Sequence, residues 1–258
     1  MIIVGIDMGI QYTKAVVVKD DKVVGKAKVP TGGMDRPKNA KAAVDAALQD
    51  AGVKASDVDK IAATGKGKFD ISFADDVFTE TIAAARAAKL YFPEATAVMS
   101  VGADETLAAI LGEKRLITEF VLNQKCAAGL GTFVSYLAKR LGITLELAAA
   151  SDGPDLGAMN DGCAVFSELD ALSFLNDGAA TDAIMATVNR AAATRAATVF
   201  ADLTAYPGEK AVLVGGLTKN SAFVKALEKH LNRKFLIPED AEYSCAVGAA
   251  TCIVKGIS

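Results

Sequence analysis

Between Ile2 and Val29 the chain runs through three segments rich in β-branched residues, "IIVGID", "KAVVVKD" and "KVVGKAKVP", joined by short turns. Such a run predicts an antiparallel three-strand meander. A second cluster, "TAVMSVGAD", "TLAAILGE" and "RLITEFVLN", repeats the pattern after about residue 95 and ends at Asn123. Between the two, apolar residues at Ala40, Ala43, Val44, Ala47 and Leu48 predict a helix from Pro37 to Ala51 that stops at Gly52. A strand "KIAATG" and a helix over "TETIAAARAAKLYF" follow. Beyond Asn123 the chain reads as helices over "GTFVSYLAKRLG", "VFSELDALSFLNDG" and "ATDAIMATVNRAAATRAATVFADL". Then come strand "KAVLVGG", helix "SAFVKALEKHL", strand "KFLIP" and helix "SCAVGAATCIVK". No Pro/Ser linker separates the halves, so the expectation is two similar α/β lobes facing a cleft.

At 258 residues the chain can bury a full core without disulfide staples. Its 52% hydrophobic and 23% charged residues fit a soluble globular protein. The net charge of -3 is scattered, with no basic stripe to meet a phosphate backbone or an anionic lipid surface, so neither nucleic acid nor membrane is expected as a partner. "MIIVGIDMG" lacks a signal peptide's basic start, and no apolar run approaches the ~20 residues a bilayer requires, so a cytoplasmic location is expected. The four cysteines are then core residues, metal ligands or redox groups rather than a disulfide framework.

Three turns carry candidate chemistry. In "GIDMGIQYTK", Asp7 ends a strand and Gly9, Gln11, Tyr12, Thr13 and Lys14 follow. Backbone N–H groups of such a turn can wrap phosphate oxygens while Asp7 holds a magnesium shell, although the same pattern also serves as a plain hairpin turn. "SVGADET" places Gly102, Ala103, Asp104 and Glu105 at the equivalent turn of the second cluster. "VLVGGLTKN" ends a third strand with Gly215 and Gly216, which let a base or ribose approach the backbone, and puts Asn220 in the next helix's first turn.

The loops and lobes resemble the actin/sugar-kinase/heat-shock ATPase fold, in which two ribonuclease-H-like lobes clamp a nucleotide. That implies a first lobe over residues 1–94, joined by the C-terminal helix 243–258, and a second over 95–242. Within the fold, "NQKCAAGLGTF" and "NDGCAVFSELDALSFL" resemble the two cysteine motifs of the activator of 2-hydroxyacyl-CoA dehydratases, shared by ATPase subunits of ATP-dependent benzoyl-CoA reductases. "AATGKG" (62–67) belongs to the resemblance, which runs almost end to end. The family normally has Asp where this chain has Ser100, so either Asp104 or Glu105 takes over that carboxylate's role or magnesium is held differently. "SVGADE" also departs from the activators' Gly-Gly-Gln-Asp loop, which tilts the choice toward the benzoyl-CoA reductase type.

The resemblance implies ATP and Mg2+ as ligands and a [4Fe–4S] cluster bridging two subunits, with Cys126 and Cys163 of each as ligands. Two thiolates are too few for such a cluster, and a dimer supplies the missing pair. The dimer could be a homodimer or a heterodimer with a related ATPase subunit. The implied activity is ATP-driven transfer of electrons from ferredoxin or flavodoxin to an acyl-CoA reductase or dehydratase component. A small-molecule kinase without a cluster, and a nucleotide-binding subunit without hydrolysis, are the alternatives. Cys245 and Cys252, seven apart on the last helix, read as core. Lys66, Lys125, Glu168 and His230 read as solvated or helix-face charges.

Overall fold

A computed structural model describes residues 1–123, 129–160, 163–205 and 207–254. The opening meander forms as expected: β1 (Ile2–Met8), β2 (Tyr12–Lys19) and β3 (Lys22–Pro30) pair antiparallel. Asp20 and Asp21 both take positive φ (51° and 61°), the two-residue turn whose twist suits a tight hairpin. Helix α1 (Arg36–Ala51) carries Pro37 in its first turn and is capped by Gly52, whose left-handed φ of 64° favours glycine. Strand β4 (Lys60–Thr64) then pairs parallel to β1, and the two-residue β5 (Asp76–Val77) pairs parallel to β4, giving the order β3-β2-β1-β4-β5.

Helix α2 (Glu80–Tyr91), capped by the Thr79 hydroxyl, leads to the second meander of β6 (Ala97–Val101), β7 (Thr106–Leu111) and β8 (Ile117–Leu122). There follow α3 (Leu130–Arg140), α4 (Leu145–Ala150), α5 (Ala164–Asn176) and α6 (Thr181–Ala201). Strand β9 (Ala211–Val214), α7 (Ser221–Leu231) and α8 (Ser244–Val254) complete the chain. Strand β9 adds parallel to β6, so the second sheet runs β8-β7-β6-β9 and repeats the first sheet's meander-plus-parallel-strand plan. The expected strand "KFLIP" is instead a single bridge, Leu236 to Val212. Pro238 lacks the N–H that a longer ladder would need.

Alternation along the strands sorts the cores. Ile3, Val16 and Val18 face α8, through Ala246, Val247 and Ala250, while Val4, Ile6, Ala15 and Val17 face α1. The second sheet turns Val98, Leu107, Ala109, Val212 and Val214 toward α2 and α8, and Met99, Val101, Ala108, Ile110 and Leu213 toward the cluster that holds α3, α6 and α7. Helices α2 and α8 therefore form a layer shared by both sheets. Its close approach depends on glycines: a Cβ on Gly5 would run into the Ala246 carbonyl, and one on Gly248 into the Ala83 carbonyl.

Candidate functional site: a cleft where three strand ends converge

The C-terminal ends of β1, β6 and β9 open into one cleft of 680 Å³. Its floor begins at Asp7. Lys14 lies directly across the β1–β2 ladder, and its Nζ stands 3.0 Å from Asp7 Oδ2, with both side chains largely buried. Burial alone would lower the Lys14 pKa, but the Asp7 charge and hydrogen bond outweigh it and hold the ammonium above its ordinary range. Between the strands, Gly9 N–H donates to the Tyr12 carbonyl and closes the turn. Gly9, Ile10, Gln11 and Tyr12 line the cleft.

Thr13 does not. On a strand successive side chains alternate, so Tyr12 and Lys14 face the cleft while Thr13 turns to the opposite face and is fully buried. Its hydroxyl lies 3.0 Å from that of Thr31, which donates to the Gly9 carbonyl at 2.8 Å. Thr13 thus braces the turn from beneath.

In the second loop Gly102 N–H donates to the Glu105 carbonyl, and Ser100, Gly102, Ala103, Asp104 and Glu105 all border the cleft. Glu105 Oε2 stands 2.5 Å from Nζ of Lys66, which follows β4, so Lys66 is not a free surface charge but bridges the first sheet to the second. Burial would lower the Lys66 pKa, yet the Glu105 hydrogen bond and charge raise it overall.

The third loop follows β9. Gly215 has φ 102° and sits where a side chain would strike the Val101 backbone, so the position requires glycine. Gly216 opens a 3-10 turn, Gly216–Lys219. Asn220 borders the cleft, but its amide is already committed: Oδ1 accepts from Phe223 N–H, capping α7, and Nδ2 donates to Asn189 Oδ1 at 2.8 Å. Asn189 in turn donates to the Ala148 carbonyl. This buried amide chain pins α4, whose Leu145, Glu146 and Ala149 form the cleft wall facing that loop.

The sequence did not reveal α4's part, nor Glu242. That carboxylate is buried in the cleft between Lys28, at 2.9 Å, and Lys219, which is also ion-paired to it. Burial would raise the Glu242 pKa, but the Lys219 and Lys28 hydrogen bonds prevail and lower it. Nothing in the spacing of residues 28, 219 and 242 signals this meeting.

Cys252 is wholly buried, as expected. Cys245 is buried too, yet it borders the cleft beside Asp7, Lys14 and Ser100. Burial, reinforced by the Asp7 charge, pushes its pKa up to about 12, so it remains a thiol. His230 lies exposed in the last turn of α7.

Of the two cysteine motifs, Cys126 and the neighbouring Lys125 lie outside the described residues. Cys163 is partly exposed and stands immediately before α5. Its N–H donates to Asn160 Oδ1 at 2.7 Å. Among the described residues no group of three or more His, Cys, Asp or Glu is placed to hold a metal ion by itself. No helix among them is long and apolar enough to cross a membrane.

Two sheets of repeated plan, opening at three strand ends into one cleft, define the class: an actin-like ATPase fold. The activator of 2-hydroxyisocaproyl-CoA dehydratase from Clostridium difficile, solved with bound ADPNP, shares it at a TM-score of 0.90 and 24% identity, over 100% of this chain and 96% of that one. The chain belongs to the BadF/BadG/BcrA/BcrD ATPase family, whose model matches residues 4–252. It is 31% identical to the activator of lactoyl-CoA dehydratase of Anaerotignum propionicum, covering 97% of this chain and 96% of the relative. It is 30% identical to a benzoyl-CoA reductase subunit of Thauera aromatica, covering 95% and 90%.

Proposed function

We propose that this protein is the ATP-hydrolysing component that, as a homodimer or with a related subunit, delivers low-potential electrons from ferredoxin or flavodoxin to an acyl-CoA dehydratase or reductase. The observation that carries the reading is the single cleft onto which all three loops converge, in a chain that aligns almost end to end with dehydratase activators and with a benzoyl-CoA reductase subunit. In this reading the cleft divides a lobe of residues 1–94, with 243–258, from a lobe of 95–242.

The cleft residues fit a magnesium nucleotide by chemistry. Gly9, Gln11, Tyr12, Gly102 and Ala103 would surround phosphates. Gly215 and Gly216 would take the nucleoside end, with Asn220 holding α4 against it. Asp7, ion-paired with Lys14, would hold magnesium together with Asp104 or Glu105, and the bound ion would offset the phosphates' charge. Ser100 cannot supply that charge, so either Asp104, or Glu105 on giving up Lys66, would enter the metal shell, or magnesium would be held differently.

Cys163 fits a metal ligand: it stands partly exposed at a helix start, where N–H groups without partners inside the helix and the helix dipole suit a negatively charged cluster. With Cys126, and with the same pair from a second subunit, it would hold a [4Fe–4S] cluster, which supplies one electron at a time.

The test is iron and acid-labile sulfide on anaerobically purified protein. About four of each per dimer, lost in Cys126→Ala and in Cys163→Ala, is expected. A dimer without iron would overturn the electron-transfer reading.

A further inference from the structure

We propose that Lys66 reads the terminal phosphate of a bound nucleoside triphosphate, its ammonium donating to an oxygen that a diphosphate lacks. This rests on the nucleotide reading above and adds to it the group that recognises the far end of the phosphate chain.

The strand order gives the cleft a direction. Asp7 on β1 stands opposite Lys14 on β2, and Lys14 opposite Lys28 on β3. On the other side of β1, Asp7 pairs with Thr64 at the end of β4, two residues before Lys66. Adjacent strands lie about 4.8 Å apart, so β3 and β4 are separated by about 14 Å. Each end of this row is tied to a different loop of the second sheet. At the β3 end, Lys28 and Lys219 share the Glu242 carboxylate, and Lys219 closes the turn that Gly216 opens. At the β4 end, Lys66 meets Glu105 of the second loop. A nucleotide whose nucleoside lies at Gly215 and Gly216 therefore runs its phosphates past Asp7 toward Lys66.

The segment that carries Lys66 is seated against the first loop. Gly67 N–H donates to the Met8 carbonyl at 3.0 Å. Gly65 has φ 92°, and a Cβ there would strike the Met8 carbonyl and Asp7 Oδ1, while one on Gly67 would strike the Met8 side chain. Both glycines of "AATGKG" are thus needed for the approach. The two lysines of this segment differ in what they leave available. Lys68 is largely buried and committed: its Nζ donates to the Gly65 carbonyl at 3.2 Å and lies 3.3 Å from Glu80 Oε2. The Lys66 side chain is 40% exposed, borders the cleft and pairs with Glu105. An ammonium has three donors, and Glu105 takes one, which leaves two for phosphate oxygens. A diphosphate ends one phosphate short and leaves Lys66 to Glu105.

Titration calorimetry on the full-length, anaerobically purified protein tests this with ADPNP and with ADP, and thermal unfolding of each nucleotide-free sample checks its fold. With magnesium present, Lys66→Met should weaken ADPNP by about tenfold or more, the weight of one hydrogen bond between charged groups, and ADP by less than about threefold. Lys66→Arg, which keeps the charge, should retain most of the wild-type ratio of the two affinities. Glu105→Gln frees Lys66 without removing it. Measured in chelator, so that no metal enters, it should bind ADPNP at least as tightly as wild type does there, and it decides alone where Lys66→Met does not fold. Equal loss for both nucleotides in Lys66→Met, no loss, or a Glu105→Gln variant that loses ADPNP in chelator overturns the inference alone. Failure of wild type to bind either nucleotide overturns the nucleotide reading and this inference with it.

Discussion

At the scale of single residues the cleft is a set of paired charges, and each pairing states what its loss would do. Asp7→Asn leaves the buried Lys14 ammonium without its counter-charge. It should abolish magnesium-dependent ATP turnover and destabilise the fold by about 3 kcal/mol in urea unfolding. Adding Lys14→Met should restore most of that stability and none of the turnover, a split that tells an electrostatic loss from a misfolded cleft. Glu242 makes a pH prediction. Its folded pKa lies below the usual value of 4.5, so its contribution is fully present above that value and is lost as pH falls through the depressed one. As pH falls below 4.5, wild type should lose stability more steeply than Glu242→Gln, as measured by thermal unfolding at successively lower pH. Sequence located Asp7, Gly9 and Gly215 because strand-end carboxylates and glycines next to β-branched runs carry local signals. It overextended to Thr13 by reading four successive residues as one surface, where the period of two sends every other one away. Glu242, Lys28 and Lys219 gave no local signal, because only the folded chain brings them together.

Elements of ordinary length were legible and very short ones were not. The meanders announce themselves by β-branched runs, and α1 by its apolar spacing and its terminating Gly52. Helix α4 is six residues of "LELAAA", too short to display a repeat, and β5 is two residues long. Yet α4 walls the cleft, held by the Asn189 amide. Asn189→Ala should leave the Ala148 carbonyl and the Asn220 amide unpaired, costing about 2 kcal/mol and weakening nucleotide binding by titration calorimetry. The α2–α8 layer makes a sharper demand. Gly248→Val would force a side chain into the Ala83 carbonyl and should destabilise by at least about 2 kcal/mol in urea unfolding, whereas Val254→Ala at the exposed end should change little.

For the whole molecule, a cleft bounded by both sheets means that whatever fills it holds them together. ADPNP with magnesium at a hundredfold its dissociation constant should add about 2.7 kcal/mol to stability, raising the melting temperature by roughly 5–10 °C. No shift, with binding absent by calorimetry, would refute the nucleotide reading. The fold class was legible because the same β pattern appears twice in one chain. Less legible was the role of the last helix, which reads locally as one more apolar segment. Because α8 covers most of the Ile3–Val16–Val18 face and reaches into the second sheet's core, that face has only Leu90 and Tyr91 of α2 beside it, with Tyr243, until residues 244–254 have been made. A growing chain therefore reaches residue 243 with its earliest strands still incomplete. Folding of the N-terminal half is therefore expected to wait on synthesis of the C-terminal helix.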